Sequence, residues 1–231
     1  MAGRVCAVIE RMETTPLVLA SASPRRRRLL AWLDAPYTCI ATDTAEDLTS
    51  SLRRVPPVLA RTLAAEKARA ARAGADPGAT VLAFDTIVVL DGEVMGKPAD
   101  RADAERMLRA LSGRTHSVVT GVAVWSPGSD EPATFAVTTP VTMRDLDDAA
   151  IAEWLSGDEA LVCAGAYNIE RHLATVEDGE CYQNVAGLPL CHLYERLARL
   201  GVTVTPPAGA CDEALGASCP LGRRLCATPV R

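Results

Sequence analysis

Apolar residues along the chain fall into short runs of strand length that alternate with longer stretches at helical spacing. This pattern predicts strands and helices mixed through one α/β (α+β) architecture. Leu17, Val18 and Leu19 form a short apolar run suited to a buried strand. Ser23 followed by Pro24 has the order of an N-cap and a first helical residue, so a helix opens into Arg25–Arg28 and Leu29–Leu30. Tyr37 to Ala41 predicts a second strand, and Thr42 to Pro57 a polar loop carrying Asp43, Glu46 and Asp47. Val58 to Ala73, rich in alanine, arginine and leucine, predicts a helix that stops at Gly74. Val81 to Leu90 is a buried strand interrupted by Asp85 and Thr86 and followed by an Asp91-Gly92 turn. After the loop Gly96 to Asp100, a helix runs from Arg101 to Leu111. Ser117 to Trp125 and Ala133 to Thr142 then pair as strands about a turn cluster. Asp145 to Ser156 is a short helix with an acidic first turn, and Leu188 to Leu200 is a helix capped by Gly201. From Thr205 the periodicity is lost among proline, glycine and small residues. The expected organisation is an extension over 1–15, a domain over 16–204 and a flexible tail over 205–231.

With 231 residues and 48% hydrophobic content, the chain can bury a full core. Its 24 basic and 29 acidic side chains leave a net charge of -5, so any phosphate site is local and no nucleic acid is expected as a partner. No apolar stretch approaches the roughly 18 residues that span a bilayer. The first segment is broken by Glu10, Arg11 and Glu13, unlike a secretory signal. A cytoplasmic protein without a membrane partner is expected. Eight cysteines occur without a CxxC pair, and free thiols are expected. The three histidines, 116, 172 and 192, fit no zinc pattern.

Three places carry candidate chemistry. At the first strand–helix junction, Ser21 and Ser23 supply hydroxyls, helix-start N–H groups are free, and Arg25 and Arg26 can grip a phosphate bidentately. Four consecutive arginines diverge around a helix, so at most two are expected on one ligand, with Arg27 and Arg28 on the solvated face. The bland reading of the run is a capped helix with a basic surface. Asp85 is the second place, since a carboxylate amid VLAFDTIVVL is costly to bury unpaired. It suits a metal ligand or general base, against a strand-end turn, an ion pair with an arginine or a solvent-facing edge. The third place is the lysine pair: Lys67 and Lys97 are the only lysines, leaving 22 arginines of the 24 basic residues, and each is a compact charge for a phosphate oxygen. Glu46 could join Asp85 on a divalent cation. No P-loop, dinucleotide fingerprint or serine nucleophile elbow occurs.

Six segments, LVLASASPRRRRLL, AAEKARA, FDTIVVLDGEVMGKPAD, RMLRALSGRTHSVVTGVAV, AGAYNIE and NVAGLPL, lie in order from Leu17 to Leu200. Through them the chain resembles the Maf family of nucleoside triphosphate pyrophosphatases. The resemblance implies an inosine-triphosphatase-like fold, an elongated mixed sheet flanked by helices in two lobes around a cleft. It also implies hydrolysis of a nucleoside triphosphate between the α and β phosphates, with magnesium or manganese, as a housecleaning activity. By the same resemblance Asp85 is the proton acceptor that activates water, and with Glu46 it holds the metal. Ser21, Arg25, Arg26, Lys67 and Lys97 match phosphate, metal and pocket positions. The family's dTTP/UTP branch carries Arg, Thr and Gln where this chain has Arg25, Thr86 and Glu170, while the 7-methylguanosine triphosphate branch carries Trp, Thr and Glu. The pattern here is mixed. Glu170 only accepts hydrogen bonds where glutamine also donates, which favours bases presenting N–H groups: cytosine, guanine, or uracil through N3–H. Asn168 replaces a commonly small residue beside it. A pyrimidine triphosphate is the preferred substrate, a nucleotide-binding regulator of septum formation without turnover is the alternative, and a homodimer is left open.

Overall fold

The computed structural model describes residues 15–42, 44 and 47–227. Glu46, Asp43 and nearly all of the expected N-terminal extension lie outside the described residues. Strands β1 (Leu17–Ala20), β2 (Tyr37–Cys39), β3 (Thr80–Leu90), β4 (Glu93–Met95), β5 (Thr115–Trp125), β6 (Ala133–Met143) and β7 (Ala174–Val176) form one sheet. Its order is β2-β1-β3-β5-β6-β7, with β4 paired back onto β3. β1 runs parallel to β2 and β3, and all other pairings are antiparallel. The expected mixed α/β class is therefore observed.

The two-residue period of the strands separates the core into two sides. Helix α2 (Pro56–Arg72) covers one side, with Ala64, Ala68 and Ala71 packed on Val18, Ala20, Val81, Ala83 and Ala123. Leu59, Ala60 and Leu63 continue that contact onto Ile87 and Val119. The opposite side holds Leu17, Leu19, Leu82, Phe84, Val88, Val118 and Val122 beneath α1 (Pro24–Leu30), α3 (Arg101–Leu111), α4 (Asp148–Trp154) and α6 (Leu190–Arg199). Alanines on α2 keep the helix close to the sheet, and Gly121 makes the closest approach possible. A Cβ at Gly121 would lie 2.1 Å from the backbone carbonyl carbon of Ala60.

β1 and β4 leave a gap along one edge of β3. β1 pairs with β3 only as far as Ala20 opposite Ala83, and β4 begins pairing at Val88. Among the described residues, Phe84 to Ile87 thus have no strand neighbour on that side, at the point where β1 ends and α1 begins. Ligand crevices form at such points in open sheets.

Several boundaries differ from the sequence expectation. β2 stops at Cys39, the helix expected from Asp145 begins at Asp148 behind an Asp147 cap, and the one expected from Leu188 begins at Leu190. Part of the expected loop 42–57 is a 3-10 turn, Ser51–Arg54, and α2 already begins at Pro56. Within the segment expected as a flexible tail, two helices form that the sequence pattern did not predict, α7 (Ala208–Leu215) and α8 (Pro220–Cys226). Their small residues hide the period, but Leu221 packs with Val137 and Cys181, and Gly222 lets α8 approach Cys191. The chain is tied to the body before α7 by Thr205 N–H donating to the Leu33 carbonyl at 2.8 Å. The short α5 (Tyr182–Val185) precedes α6.

Two predictions follow from packing. Gly121→Ala forces backbone apart at the α2–sheet contact and should cost about 1–3 kcal/mol in chemical denaturation; unchanged stability would show that the contact is slack. His116 is buried, with Nε2 2.8 Å from the Tyr167 hydroxyl. Burial lowers its pKa from 6.5 to about 4. Its contribution is therefore fully present above pH 6.5 and is lost as pH falls toward 4, because only the unfolded chain takes up the proton, by up to about 3 kcal/mol. Unfolding curves from pH 7 to 4.5 should show a smaller acid loss for His116→Gln, and equal losses would assign the effect elsewhere.

Candidate active site

A cavity of about 690 Å³ opens over the unpaired stretch of β3. Its wall is built by the end of β1, the start of α1, α2, β3, the Lys97 loop, and the turns around residues 159–170 and 185–187. Adjacent residues Asp85 and Thr86 face opposite sides of the sheet, and because the edge is open both reach this cavity.

Asp85 faces α2. Lys67 sits on the same stripe of α2 as Ala60, Ala64 and Ala71, and its Nζ donates to Asp85 Oδ1. The Asp85 side chain is 2% exposed and that of Lys67 12%. Asp85 Oδ2 is buried and meets no hydrogen-bond donor among the described residues. The pair thus leaves one carboxylate oxygen unpartnered among the described residues, on a side chain that lines the cavity. The expected alternatives of an arginine partner or a solvent-facing edge do not hold.

Thr86 faces the other side. Arg26 Nη2 donates to Thr86 Oγ1 at 3.0 Å and Nε to the Gly187 carbonyl at 2.9 Å. Thr86 and Thr120 hydroxyls are 3.0 Å apart, and Thr120 donates to the Asn184 carbonyl at 3.1 Å. Thr120 has a single hydroxyl proton, so Thr86 must be the donor between the two. Asn184 in turn donates from Nδ2 to the Val118 carbonyl and to Thr139 Oγ1, each at 3.1 Å. A chain of bonds across three strands therefore fixes Arg26. Gly187, at φ +97°, makes the backbone turn that offers its carbonyl to Arg26.

At the α1 start, Ser23 Oγ accepts from Arg26 N–H at 3.4 Å and Ser21 Oγ accepts from Ser23 N–H at 3.2 Å. Each hydroxyl keeps its own proton to donate. Arg25 Nη1 donates to Cys163 Sγ at 3.2 Å. Burial pushes the Cys163 thiol up from its ordinary pKa, which leaves it a neutral partner for Arg25. Glu159 accepts from Asn168 Nδ2 at 2.6 Å and from Arg171. Burial alone would raise the Glu159 pKa, but those hydrogen bonds outweigh it and hold it below its ordinary value.

Ser21, Arg25, Arg26, Lys67, Asp85, Thr86, Lys97 and Glu170, all singled out in the sequence, line this one cavity. Glu46 lies outside the described residues. Arg27 and Arg28 are both exposed, as expected, and Arg28 in addition lines the cavity and pairs with Glu170. The i, i+3 spacing of Arg25 and Arg28, legible in the sequence, places them on one face of α1. Glu159 and Gly187 were not singled out; the NVAGLPL segment was the available signal for Gly187. Five cationic side chains (Arg25, Arg26, Arg28, Lys67, Lys97) meet three acids (Asp85, Glu159, Glu170) among the described lining residues. The arrangement can hold a polyanion and present a carboxylate oxygen to it. Among the described residues, no three His, Cys, Asp or Glu side chains come together as a metal centre.

The family profile described as "Maf-like protein" matches residues 16–200. The chain belongs to the Maf family. Among curated relatives, the "dTTP/UTP pyrophosphatase" of Salinibacter ruber shares 44% identity over 186 residues, 79% of this chain and 89% of its own. Proteins of the same name from Moorella thermoacetica and Geobacter sulfurreducens are 47% and 44% identical, over 81% and 82% of this chain and 96% and 99% of theirs. A solved nucleoside-triphosphatase / dITP/XTP pyrophosphatase from Mycobacterium abscessus superposes with a TM-score of 0.38 and 15% identity, covering 55% of this chain and 74% of that one.

The buried pair generates a stability prediction for this Maf domain. Lys67→Met leaves a carboxylate without its counter-charge and should cost about 3–5 kcal/mol. Adding Asp85→Asn to it should recover part of that loss, whereas additive losses in denaturant titrations would show that the two groups are not coupled.

Proposed function

We propose that this chain is a pyrimidine nucleoside triphosphate pyrophosphatase, converting dTTP or UTP to the monophosphate and pyrophosphate. The observation that carries the proposal is the buried Asp85, held by Lys67 and lining a cavity rich in cations, with one oxygen unpartnered among the described residues, in a chain 40–47% identical to relatives named for that activity. Arg25, Lys67 and Lys97 neutralise the triphosphate, Ser21 donates a hydroxyl to it, and Arg26, fixed by Thr86 and Gly187, contributes charge without reorganising. Asp85 Oδ2 takes the proton of a water that attacks the α phosphorus. The bond from that phosphorus to the α–β bridging oxygen breaks, and pyrophosphate leaves with the electron pair.

The donor set fits a hard divalent cation. Asp85 Oδ2 is a buried oxygen without a partner among the described residues, and magnesium is commonly bound by one or two carboxylates together with substrate phosphates. Asp85 would take part in holding magnesium or manganese, which when bound would neutralise developing charge on phosphate oxygens. Glu46 is the second carboxylate proposed for it. All seven described cysteines are free thiols, which accords with a reducing compartment, and we propose the cytoplasm. Among the described residues no helix is long and apolar enough to cross a membrane. A regulator that binds nucleotide without turnover is not favoured, since binding alone has no use for a buried carboxylate with a spare oxygen.

Incubation with a panel of nucleoside triphosphates and magnesium in ¹⁸O-enriched water tests the reading. Pyrimidine monophosphate carrying the label, with unlabelled pyrophosphate, is the expected result. Diphosphate plus orthophosphate, or label in pyrophosphate, would overturn it.

A further inference from the structure

We infer that Thr120, a threonine on β5 behind the cavity wall, is a positioning residue for hydrolysis, acting on the triphosphate through Thr86 and Arg26. The inference deepens the triphosphate reading above and rests on it. Thr120 is fully buried. Any part it plays in the chemistry therefore passes through a neighbour.

The two bonds that hold Arg26 return to one atom. Arg26 Nε reaches the Gly187 carbonyl, and Arg26 Nη2 reaches the Thr86 hydroxyl. The Gly187 N–H donates to the Asn184 carbonyl at 3.0 Å, and Thr120, bonded to Thr86, donates to that same carbonyl. The bonds close a ring through Arg26, Thr86, Thr120, Asn184 and Gly187. Its anchor is in the core: the Asn184 side chain is fully buried on Val118 and Thr139, and the Asn184 N–H donates to the Cys181 carbonyl at 3.2 Å. Phe84 covers one face of the guanidinium, with its ring centroid 5.8 Å from Arg26 Cζ. Held along one edge and over one face, the planar group has little rotation left.

Thr120 sets the direction in which the ring runs. A guanidinium only donates, so Thr86 must present a lone pair to Arg26 and send its single proton elsewhere. Thr120 is the acceptor at 3.0 Å, and it can accept because its own proton goes to the Asn184 carbonyl. A valine at 120 removes that acceptor. The Thr86 hydroxyl then rotates toward another partner, and its lone pairs turn away from Arg26. Arg26 keeps its charge in the cavity but loses its set orientation, and a charge that must reorient as the bond breaks stabilises the transition state less. Ground-state binding is shared with Ser21, Arg25, Lys67 and Lys97 in the reading above, so the loss falls on kcat.

The test measures kcat and KM of the full chain for UTP with magnesium. Thr120→Val should lower kcat about tenfold with KM within about threefold, while Thr120→Ser, which keeps the hydroxyl, should stay within about twofold of the unsubstituted chain. Thr86→Val should lower kcat at least as much, and adding Thr120→Val to it should cost nothing further, because the path to Arg26 is already cut. Thermal unfolding shows whether each variant is folded. If Thr120→Val is not, Thr120→Cys takes its place, and its weakly bonding thiol should put kcat below that of Thr120→Ser. A kcat unmoved by the loss of the hydroxyl, an equal loss in Thr120→Ser, or losses that multiply in the double variant overturn the role of Thr120 and leave the pyrophosphatase reading intact. If the unsubstituted chain yields monophosphate and pyrophosphate from no triphosphate, the functional reading fails, and the role of Thr120 fails with it.

Discussion

A charged carboxylate within a core strand is the constraint around which this molecule is arranged. Asp85 lies midway along β3 with apolar residues before and after it, and its side chain points to the side covered by α2. Burial is tolerable only because Lys67 arrives from the helix, and Lys67 arrives only because α2 lies close to the sheet. The alanine stripe on α2 and the missing Cβ at Gly121, the register partner of Asp85, both serve that approach. Packing and electrostatics thus converge on a single contact.

The edge gap in the sheet turns this contact into a site. Because β1 ends before Phe84 and β4 begins only at Val88, adjacent side chains on opposite sides of β3 open to one cavity. Asp85 brings the carboxylate from the α2 side, and Thr86 brings the bonded path to Arg26 from the other. A fully paired strand would have kept these two neighbours on separate sides of a closed sheet. The 3-10 turns around 159–171 close the far wall with neutral and charged groups that hold one another.

Much of this was legible in the sequence because the relevant signals are local. Ser23-Pro24 announces the α1 start, the alanine-rich run announces α2, and a carboxylate inside VLAFDTIVVL announces a buried charge in need of a partner. What could not be read depends on contacts between distant segments. The ion pair of Asp85 with Lys67, rather than with one of many arginines, follows from the register of β3 against α2. Arg28 is exposed, as four diverging arginines predict, but its pairing with Glu170 depends on the distant Ile169–Arg171 turn. The helices α7 and α8 were hidden because small residues and cysteines carry little periodicity, and their apolar contacts lie on β6 and α6, far away in sequence.

The central claim is that Asp85 activates water and does not serve chiefly to bind nucleotide or hold the fold. The most direct measurement compares single-turnover hydrolysis of UTP with equilibrium UTP binding for the Asp85→Asn variant in magnesium. Removing the proton acceptor should slow single turnover at saturating UTP by about 10²–10⁴-fold, beyond whatever loss of UTP affinity follows from removing a metal ligand, and the variant remains folded. Hydrolysis at the unsubstituted rate, or a loss explained wholly by weakened binding, would contradict the account.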